Sequence, residues 1–242
     1  MYMRGTARIV HDPATKPGTI RVQDCLIPPG LTTLDEFREW AHSDSYPERG
    51  DFTWMDGQLW VDLDMETAET HGLVKTAFAG VLYALVSSRE LGVLFIDTMR
   101  FTQPAFDLSS EPDVMFISNE SLADGTVRPV PGASGNAVEF EGAPDVIVEV
   151  VSDSSQLKDV VLFPQKLHQA GVKEYWIVDV RRGALSFRIL RRGAKKFIET
   201  PSRSGWVVSR VFRRSFSLTR KDSKALGVDY ILKHRPLPKT KR

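Results

Sequence analysis

Cysteine is nearly absent from this chain: Cys25 is the only one in 242 residues. A single thiol excludes a disulfide framework and any cysteine-based zinc cluster. Its neighbours Asp24, Leu26, Ile27, Pro28 and Pro29 offer no base that could activate it as a nucleophile. Long apolar runs are missing too, and nothing approaches the ~20 residues of a membrane-spanning helix. The N-terminus carries no charged-then-apolar leader, so a cytoplasmic protein with no membrane partner is expected. There is no Gly-x-Ser-x-Gly elbow, phosphate-binding glycine loop or dinucleotide fingerprint, which leaves little behind a small-molecule hydrolase. Acidic residues run out toward the C-terminus. Positions 181–242 hold 3 Asp and Glu against 19 Lys and Arg, whereas positions 1–180 hold 28 against 13. The formal net charge of +1 thus conceals an acidic body and a basic end. Such a split suits nucleic-acid contact by the basic part, an oligomer in which opposite surfaces meet, or simply a solvated basic tail.

What is present is enough for a core. Hydrophobic residues make up 42% of the chain, and the length suits one α/β domain of moderate size, with or without an appendage. The organising stretch runs from Ala143 to Asp179. It opens with Asp145-Val146-Ile147-Val148-Glu149-Val150-Val151, apolar on both faces apart from its two acids, which predicts a strand buried inside a sheet. Alternation puts Asp145, Ile147, Glu149 and Val151 on one face. Glu149 then projects from a valine-rich strand near its carboxyl end, where a carboxylate is costly to desolvate without a cation or strong donor. Upstream, Glu111-Pro112-Asp113 precedes another short apolar strand, Val114–Ile117. Singly, each acid reads as a strand end or a turn cap. Taken together, Asp113 and Glu149 could converge at one sheet edge on Mg²⁺, which accepts one or two carboxylates, waters and phosphate oxygens.

In chain order, residues 1–30 read as a loosely held arm with a short strand possible at Thr19–Val22. Leu31–Ala41 predicts a helix with Thr33 as its cap and Glu36 at the third helical position. Phe52–Asp62 predicts a hairpin turning at Asp56-Gly57. A helix follows from about Thr70 to Ser88, its N-terminal segment carrying Glu66, Glu69 and His71, any of which could reach a metal-bound water; a histidine there also serves as a cap or surface residue. Strands are expected near Val93–Asp97 and Met99–Thr102, then a turn-rich stretch from Asn119 to Glu141. After the central strand, Lys158–Ala170 predicts a helix ended by Gly171, with Pro164 kinking it or marking its true first turn. Glu174–Asp179 is a second buried strand. Alternating short strands follow at Leu185–Leu190, Lys196–Glu199, Trp206–Ser209 and Phe216–Thr219. The organisation expected is therefore an arm (1–30), a core (31–183), a basic β-rich extension (184–234) and a mobile tail (235–242).

Several of these motifs together resemble one family. They are Phe52–Leu59 (FTWMDGQL), His71, Glu111-Pro112-Asp113, Pro144–Ser152, Lys158-Asp159 and Ala170–Asp179 (AGVKEYWIVD). They are similar to the bacterial putative restriction-endonuclease family of the PD-(D/E)XK nuclease superfamily, over roughly residues 31 to 220. The resemblance implies a restriction-endonuclease-like fold: a mixed central sheet flanked by helices, followed here by the β-rich C-terminal extension. It implies Asp113 and Glu149 as metal ligands, with the Val150 main chain completing the shell. The superfamily lysine would fall at Val151, or in many members four residues beyond Asp159, at Phe163. Lys158 and Lys166 are the nearest replacements, with Lys158 preferred and His71 as a further catalytic candidate. The implied chemistry is Mg²⁺-dependent hydrolysis of DNA phosphodiesters by a homodimer, with Mn²⁺ as a substitute ion. The departures at Val151 and Phe163 favour the alternative, a nuclease-like fold that binds nucleic acid or protein without cutting.

Overall fold

The computed structural model describes residues 8–9, 20–22, 25–63 and 67–237. Thr19, Glu66 and the last residues of the expected tail lie outside the described residues. Strands β1 (Arg8–Ile9), β2 (Ile20–Val22) and β3 (Cys25–Ile27) form a small sheet of their own and lead into α1 (Leu34–Ala41). Then come β4 (Asp51–Met55), β5 (Gln58–Asp62), a π-helical turn at Ala68–Gly72, α2 (Leu73–Ser88), β6 (Gly92–Ile96), β7 (Arg100–Gln103), β8 (Leu108–Ser110) and β9 (Val114–Ser118). They are followed by α3 (Asn119–Ala123), β10 (Val127–Pro131), β11 (Ala137–Gly142) and β12 (Val146–Val150). A second π-helical turn at Leu157–Leu162 runs into α4 (Phe163–Ala170), and the chain continues through β13 (Glu174–Asp179), β14 (Ser186–Arg192) and β15 (Phe197–Glu199). It closes with β16 (Val207–Ser209), β17 (Arg214–Lys221) and β18 (Asp229–Pro236).

The central sheet has the order β15-β14-β13-β12-β9-β6. Only β12 and β13 pair in parallel, with Val150 opposite Val178, because α4 carries the chain back across the sheet between them. All five residues of β12 are buried, which explains its unbroken apolar run. Val146, Val148 and Val150 pack with Val74, Phe78 and Leu82 of α2 on one face. Ile147 and Val151 pack with Phe163 and Leu167 of α4 on the other. Each such side chain contributes roughly 1.5–3 kcal/mol by leaving water.

A second sheet, β10-β11-β7-β8-β4-β5, stands on the α4 side. Its β4–β5 hairpin turns through Asp56 (φ 52°) and Gly57 (φ 72°), the left-handed pair that a two-residue hairpin of this hand requires. The turn is pinned by Asp107, whose carboxylate accepts from Trp54 Nε1 at 2.7 Å and from the Gly57 N–H at 2.5 Å. Phe37 and Trp40 of α1 pack on Phe52 and Trp54, and the Thr33–Glu36 capping box forms as expected. The hairpin thereby holds Asp51 and Asp62 against the loop that follows β12, where Asp51 meets Lys158 and Asp62 meets Ser152 and Ser154.

Three expectations need correction. The helices expected at Thr70–Ser88 and Lys158–Ala170 each begin with a π-helical turn, although Pro164 does mark the first turn of α4, one of its two expected roles. The strands β14 and β15, expected within a separate extension, complete the central sheet, and only β16, β17 and β18 form a further sheet over α2. Arg235 and Pro236, expected in a mobile tail, belong to β18 and pair with Ser215 and Arg214. Alternating buried Tyr230 and Leu232 hold β18 down, and Pro236 is tolerated because it ends an edge strand. No helix among the described residues is long and apolar enough to cross a membrane.

Candidate active site

Two carboxylates on the same face of β12 meet opposite fates. Asp145 is buried and fully engaged: the Ser118 N–H donates to it at 2.7 Å, the Ser121 hydroxyl at 3.1 Å, and Lys173 pairs with it at 2.5 Å. Glu149 is equally buried, yet its Oε1 has no hydrogen-bond partner. The antiparallel register that sets Val148 against Val114 sets Glu149 against Asp113, one residue before β9. There the Asp113 N–H donates to Glu149 Oε2 at 3.4 Å, and the Val150 N–H donates to Asp113 Oδ2 at 2.6 Å. The sheet therefore brings the two acids together at one edge. Burial pushes the Glu149 carboxyl well above the usual carboxylate range, and the charges of Asp113 and Asp159 push it further than Lys158 pulls it back.

Lys158 joins this cluster. Its ammonium pairs with Asp51, lies 3.6 Å from Asp159 Oδ1, and sits 4.9 Å from the centroid of the Phe163 ring. Burial alone would depress its pKa, but Asp51, Asp159 and Glu149 outweigh that and raise it, so the group is an ammonium. Asp159 is pushed up to about 7 by burial, against the pull of Lys158 and a hydrogen bond from Ser155. Lys166 is engaged elsewhere, by Asp56 at the hairpin turn. Val151 is core: its side chain is fully buried and its N–H donates to the Val178 carbonyl at 2.8 Å.

From the other side of the sheet come His71 and Lys75. The Val150 carbonyl accepts from His71 Nε2 at 2.9 Å, which makes Nε2 the protonated nitrogen and leaves Nδ1 facing the Thr70 hydroxyl at 3.1 Å. Val150 thus turns its N–H to Asp113 and its carbonyl to His71, where the opposing chain offers Pro112, a residue without an N–H. Lys75 reaches Asp113 Oδ1 at 3.1 Å and Asp97 Oδ1 at 2.7 Å. Glu69 is exposed on the π-helical turn. Of the serines after β12, Ser152 and Ser155 cap one another's N–H groups, while Ser152 and Ser154 donate to Asp62 at 3.2 and 2.7 Å.

Sequence reasoning missed Lys75, Asp97, Asp51 and the burial of Asp159. Lys75 had a signal: it breaks the apolar face of α2 four residues after His71, one turn along the same side. Asp51 and Asp97 had none, since only tertiary packing brings them in.

No group of three or more His, Cys, Asp or Glu side chains among the described residues is arranged to hold a metal ion. Two carboxylates and a main-chain carbonyl remain, a donor set of oxygens alone. That fits a hard cation which keeps most of its waters, as Mg²⁺ does, and the orphaned Glu149 Oε1 supplies a buried acceptor lacking a donor.

Comparison with known proteins places the chain in a family and a fold. No curated protein matches the chain. Among solved structures, a putative nuclease from Anabaena variabilis ATCC 29413 is similar in fold, with a TM-score of 0.56 and 18% sequence identity over 74% of this chain and 90% of that one. Residues 34–221, from the first turn of α1 to the end of β17, match the Uma2 family, described as putative restriction endonuclease. With that stretch covering α2, β9, β12 and α4, and so every residue of the acid cluster, the chain belongs to the Uma2 putative restriction endonuclease family.

Proposed function

We propose that this protein is a divalent-cation-dependent endonuclease that hydrolyses phosphodiester bonds in DNA. The observation that carries the proposal is the pairing of Asp113 with Glu149 at the edge of the central sheet, one Glu149 oxygen buried without a donor and the Lys158 ammonium in the same cluster. Asp113, Glu149 and the Val150 carbonyl would hold Mg²⁺, with Mn²⁺ as a substitute. A cation there supplies Lewis-acid polarisation of the phosphoryl group and acidifies the attacking water. Lys158 offsets negative charge developing on the phosphate, and its ion pair with Asp51 keeps it charged and aimed. His71 fixes the Val150 carbonyl through Nε2 and so orients one of the candidate metal ligands.

The basic strands β16 to β18 are candidates for contact with backbone phosphates outside the site, with Arg235 stacked over Trp206 at 4.1 Å as one cation held in place. Two copies related by a two-fold axis would suit cutting both strands of a duplex. Plasmid cleavage tests the reading: nicking and linearisation should require Mg²⁺ or Mn²⁺ and disappear in Asp113→Ala and Glu149→Ala variants that keep the wild-type circular dichroism spectrum.

A second reading, a nuclease-like fold that binds nucleic acid without cutting, is favoured by Lys75. Its ammonium already meets Asp113 Oδ1, where a metal ion would bind. Stoichiometric Mn²⁺ binding with no turnover on DNA or RNA would support it over the first.

A further inference from the structure

β12 and β13 run in parallel, so the loops after both strands open on the same edge of the sheet as the acid pair. Between them and the π-helical turn before α2 lies a cleft of about 360 Å³ whose walls include Thr70, His71, Ser152, Asp153, Arg181 and Arg182. The two arginines are held differently. Arg181 is largely buried, and most of its donors are engaged: Asp179 takes the fork at 3.0 and 2.8 Å, and the Ser152 carbonyl, Asp153 and Gln156 take the remaining nitrogen at 3.2, 2.8 and 3.2 Å. Arg181 therefore pins the two loops together. Arg182 follows it in a left-handed conformation (φ 55°, ψ 31°), which a residue with a Cβ adopts at a cost. That turn swings its side chain outward to 77% exposure, with Asp153 Oδ1 at 3.3 Å as its contact. The inner wall is His71, one hydrogen bond from the Val150 carbonyl.

We infer that this cleft is a phosphate subsite for the nucleic-acid strand beside the scissile bond, with Arg182 as the phosphate ligand and Asp153 as the anion that holds Arg182 until the strand displaces it. The inference rests on the nucleic-acid reading above and deepens it. A guanidinium suits the task because its planar fork matches two phosphate oxygens. Asp153 is more than half exposed, so its hold on Arg182 is weak and screened, and a polyanion can replace it. Arg181 serves as a positioning residue, since a guanidinium with most of its donors already engaged has little to offer a ligand. Thr70, its hydroxyl 3.1 Å from His71 Nδ1, lines the same cleft.

The opposed charges of Arg182 and Asp153 give the test its sign. The full chain in EDTA, where no cutting occurs, is titrated into a fluorescein-labelled DNA duplex at several salt concentrations. Arg182→Asn removes the guanidinium while keeping a residue that tolerates the left-handed backbone. It should weaken binding about three- to tenfold and lower the salt slope by about 0.9, the loss of one phosphate contact. Asp153→Asn should tighten binding, by more than Asp44→Asn does as a control for the same change in net charge at another exposed site. In active protein Arg182→Asn should raise KM and leave kcat nearly unchanged. Equal affinity in wild type and Arg182→Asn, or an Asp153→Asn effect no larger than that of the control, would overturn the subsite and leave the nuclease reading intact. Failure of the wild-type chain to bind DNA at all would overturn both.

Discussion

The ammonium of Lys158 lies over the ring of Phe163, 4.9 Å from its centroid. They stand five positions apart in sequence, a spacing that in an α-helix points side chains apart. Here the Phe163 N–H donates to the Lys158 carbonyl, the i→i+5 bond of a π-helix, and that wider turn stacks one residue nearly above the other. Phe163 occupies the position where many relatives are expected to carry their lysine. The π-helical turn lets Lys158 deliver an ammonium into the same cluster from one turn earlier, over an aromatic face worth about 0.5–2 kcal/mol to a cation. This geometry predicts what Lys158 does. Lys158→Met should lower kcat by about 10²–10³ through loss of transition-state charge stabilisation. It should also destabilise the fold by about 3–5 kcal/mol, because buried carboxylates lose their counter-charge. The double variant Lys158→Met, Asp51→Asn should recover most of the stability and none of the activity, read by urea melts beside plasmid nicking. Recovery of both would make Lys158 a purely structural ion-pair partner.

A second prediction concerns proton release on metal binding. Burial and the neighbouring Asp113 raise the Glu149 carboxyl well above its ordinary range, so in metal-free protein it holds a proton at pH values where an exposed glutamate would not. Mg²⁺ bound as proposed would coordinate the carboxylate, and that proton would have to leave. Apparent Mg²⁺ affinity should therefore rise with pH, by up to tenfold per unit while Glu149 is the group titrating. Calorimetry in buffers of different ionisation enthalpy should show proton release on binding. Glu149→Gln should abolish both effects, and a pH-independent affinity in the wild type would remove Glu149 from the metal shell.

Much of this architecture was legible beforehand because it is written in local patterns. The capping box at Thr33 and Glu36, the Asp56-Gly57 turn and the valine-rich β12 each declare themselves within a dozen residues. The edge meeting of Asp113 and Glu149 was legible because each ends or begins a short buried strand. The π-helical turns were not, since over five or six residues their periodicity cannot be told from that of an α-helix, and Pro164 offered a sufficient reason for a kink. Strand β18 was hidden by its chemistry: Lys233, His234 and Arg235 give it the look of a solvated basic tail, while Tyr230 and Leu232 anchor it to α2. Asp51 joins Lys158 across 107 residues, a distance over which sequence carries no local signal.

Asp159 yields a third prediction, on stability. Its carboxyl is raised from an ordinary 3.8 to about 7 in the folded protein, by burial above all. The folded state then binds a proton more tightly than the unfolded chain does. Its contribution favours folding fully below pH 3.8 and is lost as pH rises toward about 7. Each unit of difference is about 1.4 kcal/mol, which caps the loss at about 4 kcal/mol. Metal-free protein should therefore lose urea stability between pH 5 and 7.5, and Asp159→Asn should flatten that fall. The slope should not vanish, because Glu149 contributes in the same direction. An unchanged slope in the variant would show that Asp159 is ionised throughout.

The last prediction concerns how the C-terminal sheet is fastened. Glu174, the first residue of β13, is buried beneath it and accepts four donors: Trp176 Nε1 at 3.0 Å, the Ser209 hydroxyl at 2.7 Å, and the Arg210 and Val211 N–H groups at 2.6 and 3.2 Å. Three of the four come from β16 and the turn after it, so one carboxylate joins the central sheet to the C-terminal one. Around it, Phe212 and Phe216 pack on Trp176 with ring centroids 5.7 and 4.9 Å away. Glu174→Ala leaves buried main-chain donors unmatched, each costing about 1–3 kcal/mol. The variant should lose about 3–5 kcal/mol of stability. Because the lost bonds lie between sheets, limited trypsin digestion should cut first among the arginines at 210, 213 and 214, ahead of any site in β12 or β13. Glu174→Gln keeps an acceptor oxygen of the same reach and should restore more than half of the loss. Cleavage that instead begins in the acid-rich body would mean that the C-terminal strands stay docked without Glu174, held by the aromatic packing alone.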